Sequence, residues 1–284
     1  MNFKTLKKGF SLPELGLGTW KIGGEREPDT SRDMEWVHGI EEAIRMGYTH
    51  IDTAEMYGVG HTEELIGEAL RGFPRESLAI ATKVFATNLE YDDVLESAQN
   101  SLVRLDLDYV DLYYIHAPNP DIPLKETMQA FDELIAQGRI KNIGVSNFTR
   151  ELLEEAQSYT KNKIVANQVE YNLVTREQSH YGANTKMESE MLPYCQANDI
   201  LLVAYRPLDR GIVLETNPLM DELAEKYQKT YAQLAINWLL SQKNVVAIPK
   251  SSGTAHMQEN LGATGWYMEK NDVERLRHEY PVTA

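Results

Sequence analysis

Eight short apolar runs, rich in β-branched residues, alternate along the chain with amphipathic stretches, and no other feature limits the possible folds so tightly. The runs are LGLGTW (15–20), THIDTA (49–54), LAIATKV (78–84), YVDLYYIH (109–116), IKNIGVSN (140–147), IVANQVEY (164–171), ILLVAYRP (200–207) and VVAIPK (245–250). Between them, DMEWVHGIEEAIRMG (33–47), TEELIGEALRG (62–72), YDDVLESAQNSLVRL (91–105) and LKETMQAFDELIAQG (124–138) repeat apolar residues at spacings of three and four, the period of a helix with one buried face. Continuously apolar strands joined by helical crossovers imply a parallel sheet covered by helices. Eight such units in about 250 residues have the size of a (β/α)8 TIM barrel. Gly47, Gly72 and Gly138 fall just past helical runs, where a residue able to take positive φ is favoured.

No Pro/Ser-rich linker, low-complexity tract or internal repeat interrupts the pattern, so one α/β domain is expected over 1–284. The net charge of −15 argues against a nucleic-acid or anionic-membrane partner, since such binders carry a basic patch. The lysines of MNFKTLKKGFSL are followed by no uninterrupted apolar segment, so neither a signal peptide nor a membrane span is expected and the cytoplasm is the default location. The one cysteine, Cys195 in MLPYCQA, excludes a disulfide framework and reads as a buried, inert thiol. EYDDVLE (90–96) reads as a solvated helix start, and TREQSHYGANTKMESE (175–190), without periodicity, as a loop after the sixth strand at the rim of the site.

In a parallel barrel the C-terminal strand ends converge on one face, where functional groups collect. Those ends carry Asp52 with Tyr57 soon after it, Lys83, His116, Ser146 with Asn147, Gln168, Tyr205, and Lys250 with Ser251. A phenol titrates near 10, and an adjacent ammonium favours its ionised form, so Lys83 is expected to lower the pKa of Tyr57. Asp52 would offset the burial of Lys83, and His116 would hydrogen-bond and orient a substrate oxygen. Such a set suits proton donation to a developing alkoxide. Glu55, in the same loop, has no required part in this scheme and reads as a rim residue.

DTAEMYGVGHTEELIGEAL, ATKV, DLYYIH, GVSNF, NQVEYN and IPKS, in this order on successive units, resemble the aldo-keto reductase superfamily over essentially the whole chain. The resemblance implies a (β/α)8 barrel that reduces aldehydes and ketones with NAD(P)H, with the catalytic tetrad on Asp52, Tyr57, Lys83 and His116. It also implies a small-molecule carbonyl substrate and a monomer. A G-x-G-x-x-G fingerprint is absent: GLGTWK (16–21) and GVGHTE (58–63) lack its third glycine. That agrees with the family, which lays its cofactor extended across the barrel mouth.

By the same resemblance, Ser146, Asn147 and Gln168 would hold the nicotinamide carboxamide, Tyr205 would stack on the ring, and Gly18, Thr19, Trp20 and Asp52 would border it. Arg206, Pro207, Leu208, Arg210 and Gly211 of AYRPLDRG would line the cofactor, although Arg206 stands where serine is commoner and either contacts the pyrophosphate or meets an acidic neighbour. Lys250, Ser251, Ser252 and His256 would face the adenosine phosphate, and Glu259 and Asn260 the adenine. His256 takes the place of the family's arginine and lacks its bidentate fork, so NADP(H) is favoured with NAD(H) as the alternative. Trp20, Tyr57, Phe85 and His116 would surround the substrate. Phe85 and Ala117 stand where tryptophan is frequent, which implies a wider pocket, and the chain ends soon after the helix-like 268–280, which implies weak selection from that side.

Of the seven histidines, His38, His50, His61, His180 and His278 read as structural or solvent-facing. A metal-dependent barrel hydrolase would need clustered His and Asp ligands, and no H-x-H occurs. The remaining alternative is a nicotinamide-cofactor-binding barrel with a regulatory or structural role and little turnover, against which the intact tetrad speaks.

Overall fold

The computed structural model describes residues 1–179, 185–215, 217–251 and 253–280. Each of the eight apolar runs contains a strand: β3 (Leu17–Gly18), β4 (His50–Asp52), β5 (Ala79–Val84), β6 (Leu112–Ile115), β7 (Ile143–Ser146), β8 (Ile164–Glu170), β9 (Leu201–Tyr205) and β10 (Val245–Ile248). They pair in chain order as one parallel eight-stranded sheet. Bridges Leu15 to Ala247 and Gly18 to Lys250 bring its two edges together, with Gly16 N–H donating to Ala247 O at 2.9 Å and Gly18 N–H to Pro249 O at 3.1 Å. The result is the (β/α)8 barrel that the alternation predicts.

The helices α1 (Asp33–Met46), α2 (His61–Leu70), α3 (Tyr91–Leu105) and α4 (Leu124–Ala136) coincide with the four amphipathic stretches, and α5 (Arg150–Tyr159), α6 (Leu192–Ala197), α7 (Pro218–Tyr227), α8 (Tyr231–Leu240), α9 (Thr254–Leu261) and α10 (Lys270–Glu279) follow. Gly47 and Gly138 close their helices at φ 111° and 72°, as expected. Gly72 does not have positive φ: α2 ends earlier, at Leu70, with Arg71 as its cap in helical conformation. The segment read as a loop at 175–190 is partly helical, since Met187–Met191 forms a π-helical turn that runs into α6. Cys195 on α6 is fully buried, and desolvation pushes its thiol up to about 12, in keeping with an inert group.

Two apolar clusters hold the barrel. The larger lies between the sheet and the helices. The smaller fills the barrel interior with Ala81, Leu112, Tyr114, Val165, Leu201, Val203, Val246 and Ile248. Leu6 and Leu12 join this inner cluster from a hairpin, β1 (Phe3–Thr5) and β2 (Ser11–Pro13), that the strand pattern did not announce. Three-residue strands are too short for alternation to register. The hairpin turn also lines a cavity of about 550 Å³ with Lys8, Asp111, Lys141, Lys163 and Asp199, at the N-terminal strand ends and away from the groups singled out above.

Inside the barrel, large side chains lie over glycines of neighbouring strands. Tyr114 pairs in register with Gly144, and a Cβ on Gly144 would stand 2.4 Å from its ring. A Cβ on Gly16 would likewise come within 2.5 Å of His50 Nδ1. His50 is fully buried and neither ring nitrogen has a hydrogen-bond partner in the protein, so burial pushes its imidazole down from 6.5 to about 4. Among the described residues no helix is long and apolar enough to cross a membrane.

Two expectations follow from this packing. Gly144→Ala should destabilise the fold by about 1–3 kcal/mol through overpacking, whereas Gly72→Ala, where a Cβ meets nothing within 4 Å, should be neutral or slightly stabilising; thermal melting of the two variants checks the contrast. The unfolded chain protonates His50 near pH 6.5 and the folded chain only near 4, so in that window the unfolded state binds more protons and stability falls as pH is lowered. By pH 4 the loss from His50 should reach about 3 kcal/mol. The midpoint of urea unfolding should drop accordingly, and less steeply in His50→Gln.

Candidate active site

The C-terminal ends of the strands bring together the groups that the sequence placed there. Asp52 ends β4 and is buried with Lys83 of β5, which is inaccessible to solvent. The Lys83 ammonium donates to Asp52 Oδ1 at 2.5 Å, to Thr53 O at 2.7 Å and to Tyr57 Oη at 3.4 Å. The second oxygen of Asp52 accepts from Gln168 Nε2 at 2.7 Å, and the Asp52 carbonyl accepts from the Thr19 hydroxyl at 2.9 Å. Both carboxylate oxygens and all three ammonium protons therefore have partners, the condition under which a buried ion pair is tolerated. Desolvation is the largest influence and would lower the Lys83 pKa, but the Asp52 carboxylate and Tyr57 together outweigh it, so the net shift is upward and the ammonium stays charged.

Tyr57 lies just past β4 in a turn where Gly58 and Val59 adopt left-handed φ of 54° and 55°. A Cβ on Gly58 would stand 2.6 Å from Gly23 O, so the loop can close on the β3–α1 connection only with glycine there. The phenol is nearly buried, and here the structure corrects the sequence expectation. Burial raises its pKa more than the Lys83 charge lowers it, so the net shift is upward and Tyr57 carries its proton at neutral pH. Such a phenol is an acid held in reserve rather than a standing phenolate.

His116 directly follows β6, its backbone N–H donating to Val84 O at 3.0 Å and its carbonyl accepting from Asn147 Nδ2 at 3.3 Å. Desolvation, with the Lys83 charge behind it, pushes the imidazole down to about 3, so it is neutral and can donate one N–H without adding charge. The rings of Trp20 and His116 stand edge-on to Tyr57 at 4.8 Å and 5.8 Å, and Phe85 stands edge-on to His116 at 6.3 Å. Trp20 and His116 thus flank Tyr57, with Phe85 on His116.

On the opposite wall, Ser146 ends β7 and accepts from Asn147 Nδ2 at 3.1 Å, while Asn147 Oδ1 accepts from Tyr205 Oη at 3.0 Å. Asn147 has φ 60°, a conformation asparagine tolerates better than most residues. Ser146, Asn147 and Gln168 together offer both donors and acceptors, which suits a carboxamide. The connection after β9 is held in left-handed backbone at Arg206, Asp209, Arg210 and Gly211, with Pro207 buried and Leu208 packed on the outer core. Arg206 meets the acidic neighbour that the sequence left as one of two options: its Nη1 stands 3.3 Å from Oε1 of Glu170. Gly18 and Thr19 are buried at the β3 end beside Asp52.

Past the end of β10, Lys250 stands 5.8 Å from the centre of the Trp36 ring, and Arg32 stands 4.4 Å from it. Partial desolvation lowers the Lys250 pKa, and the charges of Arg32 and Lys21, themselves paired with Glu35 and Glu25, add to it. Ser251 is buried and His256 exposed; Glu259 is half-buried, and Asn260 is buried next to the Tyr48 hydroxyl. Ser252 and His180 lie outside the described residues. Of the other histidines, His38 and His278 are exposed, and His61 joins Asp33 and Glu64 at 2.8 Å each.

Three further residues make contacts near these groups to which the sequence assigns no role. Glu170 lies two positions beyond Gln168 on β8 and so on the same barrel face, a period-two signal that was available. Arg32 precedes a helix in an unremarkable polar stretch and carries no such signal. Glu55, read as a rim residue, accepts from Phe85 N–H at 2.6 Å.

The sequence profile of the Aldo/keto reductase family matches residues 14–278. Methylglyoxal reductase YeaE of Escherichia coli is 34% identical over 277 residues, covering 96% of this chain and 92% of its own. Glyoxal reductase of Bacillus subtilis is 34% identical over 273 residues, covering 95% and 90%. A thermostable aldo-keto reductase crystallised with the inhibitor epalrestat superposes with a TM-score of 0.92 at 49% identity, covering 98% of this chain and 100% of that one. An aldo-keto reductase from Klebsiella pneumoniae in complex with NADPH superposes with a TM-score of 0.87 at 31% identity, covering 100% and 97%. Barrel, strand-end groups and profile agree over nearly the whole length, and the chain belongs to the aldo/keto reductase family.

Proposed function

We propose that this chain is an NADPH-dependent carbonyl reductase in which Tyr57 is the proton donor, Lys83 and Asp52 hold and tune it, and His116 orients the substrate oxygen. The observation that carries this reading is the buried array in which Lys83 touches both Asp52 Oδ1 and Tyr57 Oη. NADPH, when bound, supplies the hydride for the carbonyl carbon. The chain's own residues supply the rest.

Ser146, Asn147 and Gln168 would bind the carboxamide of the nicotinamide, and Tyr205, fixed by Asn147, would pack on its ring. Gly18, Thr19 and Trp20 would border the same ring. The connection from Arg206 to Gly211 would cover the middle of the cofactor, with Arg206 held by Glu170. Lys250, Ser251 and Ser252 would meet the adenosine phosphate, with His256 beside them and Glu259 and Asn260 toward the adenine. Solved relatives in complex with NADPH and NADP support NADP(H) over NAD(H), and Lys250 offers a cation for the extra phosphate.

The substrate carbonyl would enter between Trp20, Phe85 and His116. Neutral His116 donates a hydrogen bond to its oxygen, which fixes the carbonyl without putting a second cation beside Lys83. Tyr57 then gives its proton to the oxygen as negative charge develops there, and the Lys83 ammonium stabilises the phenolate left behind. Relatives named for the reduction of methylglyoxal and glyoxal support small α-oxoaldehydes as the first compounds to test.

Tyr57→Phe should lower kcat/KM for aldehyde reduction by at least about a thousandfold, the upper range for a positioned general acid, while fluorescence titration should find NADPH affinity little changed. Retained turnover would assign the acid elsewhere. Lys250→Met should weaken NADPH by about tenfold, the loss expected for one charge-assisted contact, and leave NADH nearly unaffected. Equal weakening of both cofactors would show that Lys250 does not read the extra phosphate.

A further inference from the structure

The proposed chemistry leaves one carboxylate at the barrel mouth without a part. Glu55 lies between Asp52 and Tyr57 in sequence and is half-buried. Its Oε1 accepts two hydrogen bonds from the segment after β5: Phe85 N–H at 2.6 Å and Asn88 Nδ2 at 3.0 Å. Its own N–H donates to Lys83 O at 3.3 Å, which keeps the two chain segments side by side.

The 85–88 segment is a tight turn closed by Asn88 N–H donating to Phe85 O at 2.9 Å. From its other side, Asn119 Nδ2 in the connection after β6 donates to Ala86 O at 2.9 Å. The segments that carry Tyr57, Phe85 and His116 are thus tied together, and Glu55 is the tie between the first two. Asp52 already balances Lys83, so a second carboxylate is not needed for charge. What it offers is an anionic acceptor aimed at a backbone N–H and a side-chain amide, and charge-assisted bonds of this kind are stronger than neutral ones. The backbone of Phe85 is thereby fixed, and with it the direction of the ring that stands against His116.

We propose that Glu55 is a positioning residue: it sets the Phe85 wall of the substrate pocket, and through that wall the affinity for carbonyl compounds whose side chain reaches it. This rests on the reading above that Phe85 borders the substrate. The carboxylate touches neither the reacting atoms nor the groups assigned to the cofactor. Its removal is therefore expected in KM, and in a manner graded by substrate size.

The test is steady-state reduction with NADPH over a series from a three-carbon aldehyde to an aryl aldehyde, with NADPH affinity measured separately by fluorescence titration. Glu55→Ala should raise KM for the aryl aldehyde about tenfold, the equivalent of losing a charged hydrogen bond. KM for the three-carbon aldehyde, kcat and NADPH affinity should stay within about twofold of wild type. Glu55→Gln, whose amide oxygen still accepts but carries no charge, should fall between Glu55→Ala and wild type. Asn88→Ala, which removes one donor from the other side, should shift KM in the same graded way by about threefold, and it keeps the test open where Glu55→Ala does not fold. An effect equal for small and large aldehydes, or Glu55→Gln as impaired as Glu55→Ala, overturns the proposal. Phe85→Ala separates the two ways of failing: if it also leaves KM unchanged at every size, the wall itself is misplaced, whereas if it shows the size dependence and Glu55→Ala does not, the wall stands and the role of Glu55 falls.

Discussion

A charged lysine wholly removed from water is tolerated only with a compensating anion, and the contact between Lys83 and Asp52 is the condition on which the mouth of this barrel depends. The pair spans adjacent strands, so the parallel register of β4 and β5 is what sets its length. Gln168 from β8, across the barrel, reaches the remaining Asp52 oxygen, and Thr19 after β3 binds the Asp52 carbonyl. Four strand ends thus meet at one residue, two of them through its carboxylate. Taking away either ion would leave the other buried and unpaired, a change that costs about 3–5 kcal/mol, so the same contact that equips the site also restrains the top of the sheet.

The parts of this arrangement that were legible in the sequence are those governed by period. Eight apolar runs gave eight strands because a strand covered on both faces needs apolar side chains throughout, and four helical stretches gave α1 to α4 because their buried stripe repeats with the turn of the helix. Asp52, Lys83, His116, Ser146 and Gln168 were found because they break those runs at the end where a barrel gathers function. What stayed hidden depends on contacts between distant segments. Gly16 and Gly144 looked like ordinary small residues until His50 and Tyr114 were seen lying over them. The β1–β2 hairpin is too short for alternation to register, and only the fold reveals that Leu6 and Leu12 close the inner core. Gly72 was misread because a glycine after a helix permits positive φ without requiring it.

Arg206 shows how a substitution can be noticed in sequence while its partner in the fold is visible only in the geometry. Either a pyrophosphate or a carboxylate satisfies a guanidinium, and the pattern around AYRPLDRG favours neither. In the fold, the fully buried Glu170 lies across from it on β8, the strand next to β9 in the sheet. A buried carboxylate strongly favours a cationic neighbour, so Arg206 spends at least part of its hydrogen-bonding capacity inward. The left-handed backbone at Arg206, Asp209 and Arg210 is the conformational cost of turning the chain sharply at this point, of order 1–2 kcal/mol for each residue. Such a loop keeps its path because several contacts fix it together.

The upward shift of the Tyr57 pKa changes how the site must work. Sequence logic asked Lys83 to lower that pKa, and taken alone its charge does so; burial works against it and prevails. A phenol that ionised at rest would present an anion to an incoming carbonyl oxygen and repel it. A protonated phenol beside a fixed ammonium holds its proton until negative charge builds on the substrate oxygen, and the ammonium then faces a phenolate whose charge burial leaves with few other partners. Low polarity therefore opposes ionisation before the reaction and strengthens the Lys83 interaction during it. In the proposed reaction, the catalytic value of Lys83 would lie less in a shifted resting pKa than in being already in place, held by Asp52, when the proton leaves.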